Sequence, residues 1–86
     1  MRRRVQFKYK PKTEATNVYV AGSFNGWRPT GQAMEGPDAG GAFSASIDLA
    51  PGNYEYRFVV DGTTWHSDPG NPVHAGMFAN SVLKVE

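Results

Sequence analysis

The feature that most constrains this chain is the run Asn53-Tyr54-Glu55-Tyr56-Arg57-Phe58-Val59-Val60, set between Pro51-Gly52 and Asp61-Gly62. Alternation puts Tyr54, Tyr56, Phe58 and Val60 on one side of an extended strand, with Glu55, Arg57 and Val59 on the other. A helix would scatter the same rings around its circumference, so the segment is a strand with one face to bury. Pro51-Gly52 is a turn by residue type, because Pro presets φ and Gly supplies a positive one. Asp61-Gly62 is a hairpin signal that returns the chain into Thr64-Trp65-His66.

The rest of the chain repeats this grammar. Val5-Gln6-Phe7-Lys8-Tyr9 alternates with Val5, Phe7 and Tyr9 inward, and Pro11 ends it. Asn17–Gly22 is β-branched and aromatic with little polarity, the pattern of a central strand covered on both faces. Ser23–Gly41 is rich in glycine, carries Pro29 and Pro37, and reads as loop with a short piece of strand around Gln32–Met34. Ala42–Leu49 alternates again, with Phe43, Ala45, Ile47 and Leu49 inward. Asp68-Pro69-Gly70-Asn71-Pro72 is turn-rich, and Ser81–Val85 closes the chain as a strand. No stretch shows a helical period with caps. Five or six strands joined by turns predict an all-β fold in which two sheets bury their inward sides, a β-sandwich. With 86 residues, the expectation is one domain spanning 1–86.

Charge and composition exclude several functions. Nine basic against eight acidic residues leave a net charge of +1, without the basic stripe of a nucleic-acid binder. The basic residues that do cluster are Arg2-Arg3-Arg4, Lys8, Lys10 and Lys12, and Lys8 and Lys10 share the strand face opposite Phe7 and Tyr9. A solvated strand face accounts for them, so no nucleic acid is expected as partner. No apolar run approaches the ~18 residues of a membrane span, so no membrane partner is expected either. Arg2-Arg3-Arg4 is followed by an alternating, charged segment and not by the apolar stretch of a secretory signal. The expected location is therefore cytoplasmic. Cysteine is absent, so no disulfide framework is available.

An active site is hard to assemble from these residues. The carboxylates are Glu14, Glu35, Asp38, Asp48, Glu55, Asp61, Asp68 and Glu86, mostly at turns and strand ends where capping and solubility explain them. Asp61 belongs to its hairpin turn, and Asp68 before Pro69 suits an Asx-type turn. His66 and His74 stand eight apart without the paired ligand spacing of a zinc site. The serines lack a nucleophile elbow, and the glycines lack the Gly-Lys-Ser/Thr of a phosphate loop. The chain is expected to be no enzyme, with no catalytic residue, metal or cofactor.

Two tryptophans remain. Trp27 closes Gly22-Ser23-Phe24-Asn25-Gly26-Trp27, where Phe24 is available to plug the loop into the core. Trp65 is surrounded by Thr63, Thr64, His66 and Ser67. Packing residues in loops are the plain alternative. Rings this large in polar loops are expected to be at least half exposed, and exposed indoles suggest a binding surface. A glucose ring offers a flat C–H face for an indole and a rim of hydroxyls for an Arg fork or an Asn amide. Arg57 and Asn80 are of the required types.

The ordered set Gly22–Trp27, then Pro51–Gly62, then Trp65 with Asp68-Pro69, then Asn80–Val85 resembles carbohydrate-binding module family 48. That family includes the glycogen-binding domain of the AMP-activated protein kinase β subunit and the N-terminal domains of branching and debranching enzymes. The resemblance covers about Val5 to Val85. It implies an immunoglobulin-like (early set) β-sandwich and non-catalytic binding of α-1,4-glucan such as glycogen, starch or malto-oligosaccharide. It also implies that the two stacking tryptophans are Trp27 and Trp65, the basic hydrogen-bonding residue is Arg57 and the asparagine is Asn80. Where the family carries an aliphatic contact and a Thr, this chain has Gly76-Met77-Phe78-Ala79, so Met77 or Phe78 is the apolar contact. The alternative implied by the same family is a structural or protein-interaction module, whose partner is a catalytic domain or another subunit. A module of that kind is free to lose Trp27, Arg57, Trp65 or Asn80, and this sequence keeps all four.

Overall fold

The computed structural model describes all residues, Met1–Glu86, in seven strands: β1 Arg3–Tyr9, β2 Val18–Gly22, β3 Phe43–Leu49, β4 Gly52–Val60, β5 Thr64–His66, β6 His74–Ala75 and β7 Asn80–Val85. β1 and β3 form a two-stranded sheet. The other five strands form the second sheet in the order β2-β4-β7-β6, with β5 also on β4. Every pairing is antiparallel. The fold is an all-β sandwich.

The alternation in the sequence decides what fills it. Phe7, Tyr9 and Phe43 from the small sheet meet Val18, Val20, Tyr56 and Phe58 from the large one, and Met34 completes the buried cluster. The Tyr9 ring stacks on Phe58 at 4.7 Å between centroids, and Phe7 meets Tyr56 edge-on at 5.0 Å. Phe24 reaches the same core from its loop, 5.8 Å from Phe7. Burying side chains of this size supplies about 1.5–3 kcal/mol each, and β4 alone contributes two of the rings.

Two expectations are corrected here. The strand at Asn17–Gly22 is not central: β2 lies at the end of the large sheet, and β4 and β7 are the strands with neighbours on both sides. Both of its faces are covered as the pattern implied, with Val18, Val20 and Ala21 each at 1% exposure or below, and its edge is covered too. The segment Gln32–Met34 covers its outer edge, through Val20 N–H to Gln32 O at 3.0 Å and Met34 N–H to Val18 O at 2.8 Å. A covered edge needs no charged side chains to stay soluble. The second correction is the two-residue β6, which has no period to read and exists only as a partner of β7.

The basic residues at the start of β1 are satisfied locally. Arg4 pairs with Asp48 at 3.5 Å, with both side chains largely exposed. Arg3 donates through Nε to the Glu86 carbonyl at 3.0 Å.

Candidate functional site

β4 changes neighbours halfway along its length. Gly52–Tyr56 pair with β7, ending at Tyr56 opposite Ser81, and Phe58–Val60 pair with β5, starting at Phe58 opposite His66. Arg57 falls at the changeover; its cross-strand partner, Ala21, lies on the other side, in β2. Trp65 sits opposite Val59, and Asn80 begins β7 beside the same gap. Side chains alternate along a strand, so Glu55, Arg57 and Val59 share the outer face of the large sheet. Ser81 is fully buried and turned inward, which turns Asn80 outward. Val59 has 0% exposure despite its outer position, and its cross-strand partner Trp65 is the ring placed to cover it.

Trp27 arrives from the other side through a tight loop. Asn25 N–H and Trp27 N–H both donate to Gly22 O, at 3.1 and 3.0 Å. The Asn25 side chain accepts from Gly22 N–H and donates to Val20 O, so the loop is tied to the end of β2. Gly26 and Trp27 both adopt positive φ, 69° and 60°. That is ordinary for glycine and costly for an indole-bearing residue. The outcome is a Trp27 ring 6.5 Å from the Trp65 ring, with planes inclined at 41°. Both rings are partly buried, less exposed than the sequence suggested. The reason is mutual cover, added to the contact of Trp65 with the sheet beneath it.

The polar half of the site lies on the strands. Arg57 Nη2 donates to the Trp65 carbonyl at 3.3 Å, and its guanidinium carbon is 6.0 Å from the Trp65 ring centre. The Arg57 Nε–H is buried and has no acceptor in the protein. Asn80 Nδ2 donates to Glu55 Oε1 at 3.1 Å. Ser23 and Glu55 are joined backbone to backbone, Ser23 N–H to Glu55 O at 2.9 Å, and Ser23 Oγ accepts from Glu55 N–H at 3.2 Å.

These residues surround one open depression of about 510 Å³, lined by Ser23, Trp27, Glu55, Arg57, Trp65, Phe78 and Asn80. Trp27, Arg57, Trp65, Asn80 and Phe78 are thus brought together. Met77 is not: it stands 92% exposed at the loop tip and does not line the depression. The turn from Gly76 to Ala79 makes the difference. Both ends take positive φ, and Ala79 N–H donates to Gly76 O at 3.2 Å. Phe78 lies toward the tryptophans, with 67% of its surface still open. Sequence reasoning passed over Ser23 and Glu55. The signal for Glu55 was its position two residues before Arg57 on one strand face.

A partly buried polar network holds the loop behind this wall. Tyr56 OH donates to Asp68 Oδ2 at 2.7 Å, Asp68 N–H donates to Ser81 Oγ at 2.8 Å, and Asn71 Nδ2 donates to Val82 O at 2.8 Å. Asp68 also accepts from Gly70 N–H at 2.8 Å, the Asx-type turn expected there. Asp61 does more than form its hairpin: its Oδ1 accepts from Thr16 and Asn17 N–H, at 3.0 and 2.9 Å, and fixes the entry to β2.

A second depression of about 470 Å³, bordered by Gln6, Lys8, Glu35 and Ser44 among others, carries no tryptophan. No group of three His, Asp or Glu side chains stands close enough to hold a metal ion.

Residues 3–86 match the family model for the glycogen recognition site of AMP-activated protein kinase. The chain is 43% identical over 72 residues to Protein PTST homolog 2, chloroplastic, of Arabidopsis thaliana, covering 83% of this chain and 13% of that protein. It is 42% identical over 59 residues to Protein FLOURY ENDOSPERM 6, chloroplastic, of Oryza sativa subsp. japonica, covering 69% of this chain and 11% of the relative. It is 34% identical over 71 residues to the 5'-AMP-activated protein kinase subunit beta-1 of Sus scrofa, covering 80% of this chain and 54% of the relative. The chain therefore spans about an eighth of these two plant relatives, about half of the Sus scrofa subunit and about a quarter of the same subunit from Bos taurus and Rattus norvegicus.

The cytoplasmic expectation is corrected by this comparison, because the plant relatives are chloroplastic proteins by name. The physical reason is that organelle addresses are read by receptors from separate signals, and the core of a binding module does not encode them. The match over residues 3–86 and the relatives on both sides of it carry one conclusion: the chain belongs to the family of glycogen-recognition domains of AMP-activated protein kinase, a family of non-catalytic carbohydrate-binding modules.

Proposed function

We propose that residues 1–86 act as one module that binds α-1,4-glucan, stacking sugar rings on Trp27 and Trp65 while Arg57 and Asn80 bond their hydroxyls. The observation that carries this reading is the pair of indoles 6.5 Å apart and inclined at 41°, in one depression with Arg57 and Asn80. Inclined platforms suit a chain whose successive rings turn, as α-1,4-linked glucose does, and suit a flat β-linked ribbon poorly. The C–H faces pack on the indoles, and the guanidinium and amide meet the polar rim. Phe78 is the apolar contact from the loop, in preference to Met77, because it borders the depression.

The chemistry favours weak, reversible binding. Two stacks at ~0.5–1.5 kcal/mol beyond area burial and exposed hydrogen bonds at ~1 kcal/mol net are offset in part by association entropy. Affinity for a short oligosaccharide is then of order micromolar to millimolar. The module turns over nothing itself and holds the protein that carries it on a glucan; the chloroplastic names of the plant relatives support a plastid setting for it. A structural module docked on a partner subunit is the competing role.

Titration with maltoheptaose or β-cyclodextrin, read by tryptophan fluorescence, separates the two. The expected result is a saturable change that Trp65→Ala abolishes, with retardation in a glycogen-containing native gel. No response from the unaltered chain, with no retardation, overturns the reading in favour of the docking role. Glucan release by the isolated chain would overturn its non-catalytic part.

A further inference from the structure

Glu55 lies within the depression but has no assigned role, and its one side-chain bond is to Asn80. We propose that Glu55 is a positioning residue that fixes the orientation of the Asn80 amide, so that Asn80 offers its carbonyl oxygen to a sugar hydroxyl. The proposal deepens the glucan reading above and rests on it for the identity of the ligand.

The physical case begins with the asymmetry of the two groups. An ionised carboxylate only accepts hydrogen bonds, whereas an amide has a donating end and an accepting end. Asn80 must therefore present Nδ2 to Glu55, as it does at 3.1 Å, and the flip of the amide is settled by its neighbour. The remaining end, Oδ1, is an acceptor on a depression that Arg57, purely a donor, also lines. A vicinal pair of sugar hydroxyls both donates and accepts, so one donor group and one acceptor group lining one depression match it. Glu55 is itself held in place through its backbone on both sides. It exchanges bonds with Ser23 in the loop leading to Trp27, and its strand pairs with Val82 of β7. One residue thus connects the Trp27 loop with the strand bearing Asn80. No ion pair consumes the carboxylate, since the salt bridges of the chain are Arg4–Asp48 and Lys84–Glu86.

The test compares Glu55→Ala, Glu55→Gln, Asn80→Ala and the double alanine variant, by calorimetric titration with maltoheptaose and by NMR of the Asn80 side-chain amide without sugar. Glu55→Ala frees the rotamers of the Asn80 side chain as well as its flip, and is expected to weaken binding roughly fivefold to tenfold, up to the scale of the Asn80 hydrogen bond itself. It should add nothing to Asn80→Ala, because a positioning residue acts only through the group it positions. Glu55→Gln accepts from Nδ2 in one of two amide pairings of similar quality, so about half the molecules stay competent and the loss is about twofold. The Asn80 amide signals should move in Glu55→Ala and return toward their original positions in Glu55→Gln. Unchanged affinity in Glu55→Ala, additive losses in the double variant, or a glutamine variant as weak as alanine would each overturn the proposal. If the unaltered chain binds no maltoheptaose, the glucan reading falls by itself. The amide signals then still decide whether Glu55 holds Asn80, and signals unmoved in Glu55→Ala would sink that as well.

Discussion

The phenol of Tyr56, in the middle of β4, donates to the carboxylate of Asp68 at 2.7 Å, linking the core strand to the loop between β5 and β6. Removing the hydroxyl by Tyr56→Phe leaves that loop with one support fewer and is expected to cost ~1–3 kcal/mol. Burial pushes the phenol above its ordinary 10.0, and the bond to Asp68 pushes the same way against the opposing bond from Asn71. The folded chain thus favours the neutral phenol. Its contribution is complete below the unfolded value, near pH 10, and is lost as pH rises beyond it. Urea unfolding between pH 8 and 11 should show a shallower alkaline loss for Tyr56→Phe than for the unaltered chain.

Trp27 holds φ at 60°, a conformation that costs a bulky residue about 1–3 kcal/mol. Trp27→Gly removes that cost together with a ring contact worth ~0.5–1.5 kcal/mol. Stability should change by no more than about 2.5 kcal/mol while oligosaccharide binding disappears. A loss above about 3 kcal/mol in denaturant unfolding would make Trp27 a core residue instead of a platform.

Gly22 is required by close approach and not by its backbone angles. A Cβ there would lie 2.4 Å from the Glu55 carbonyl oxygen and 2.6 Å from the Phe24 ring. Both are parts of the scaffold beneath the site, and one of them is backbone. Gly22→Ala is expected to destabilise by roughly 1–3 kcal/mol, the range for overpacking. It should also weaken oligosaccharide binding, since the displaced loop carries Trp27. A thermal melt and a titration on the same sample check both.

The two apolar residues of the Gly76–Ala79 turn should separate cleanly. Phe78→Ala is expected to weaken binding about threefold to tenfold, the scale of one aromatic contact. Met77→Ala should leave affinity unchanged. Equal losses from both would show that the turn closes over the sugar as a unit.

Much of this is legible in the sequence. The alternation of Tyr54, Tyr56, Phe58 and Val60 reported the buried face of β4, because side-chain period is a local property of extended chain. The same rule assigned Phe7, Tyr9, Phe43 and Leu49 to the interior, where they are. Edge or centre was not legible for β2, since an apolar strand looks the same whether a neighbouring strand or the Gln32–Met34 segment covers it. That Phe78 borders the depression and Met77 does not goes with a turn whose Ala79 has positive φ, which nothing in an alanine announces. Glu55 escaped notice because its partner Asn80 is 25 residues away. Chemistry that arises from a cross-strand diagonal is visible only once the register is known.

The changeover of neighbours at Arg57 has a mechanical meaning. β5 and β7 lie end to end along one side of β4 without being paired to each other, so the sheet has a seam there, with Trp65 on one lip and Asn80 on the other. Local opening of a sheet starts where its ladder is interrupted. A sugar chain resting on both lips would act as a stitch across that seam, and its presence would be recorded as slowed amide exchange in β5 and at the head of β7. Recognition and the cohesion of the sheet would then be one event measured in two ways.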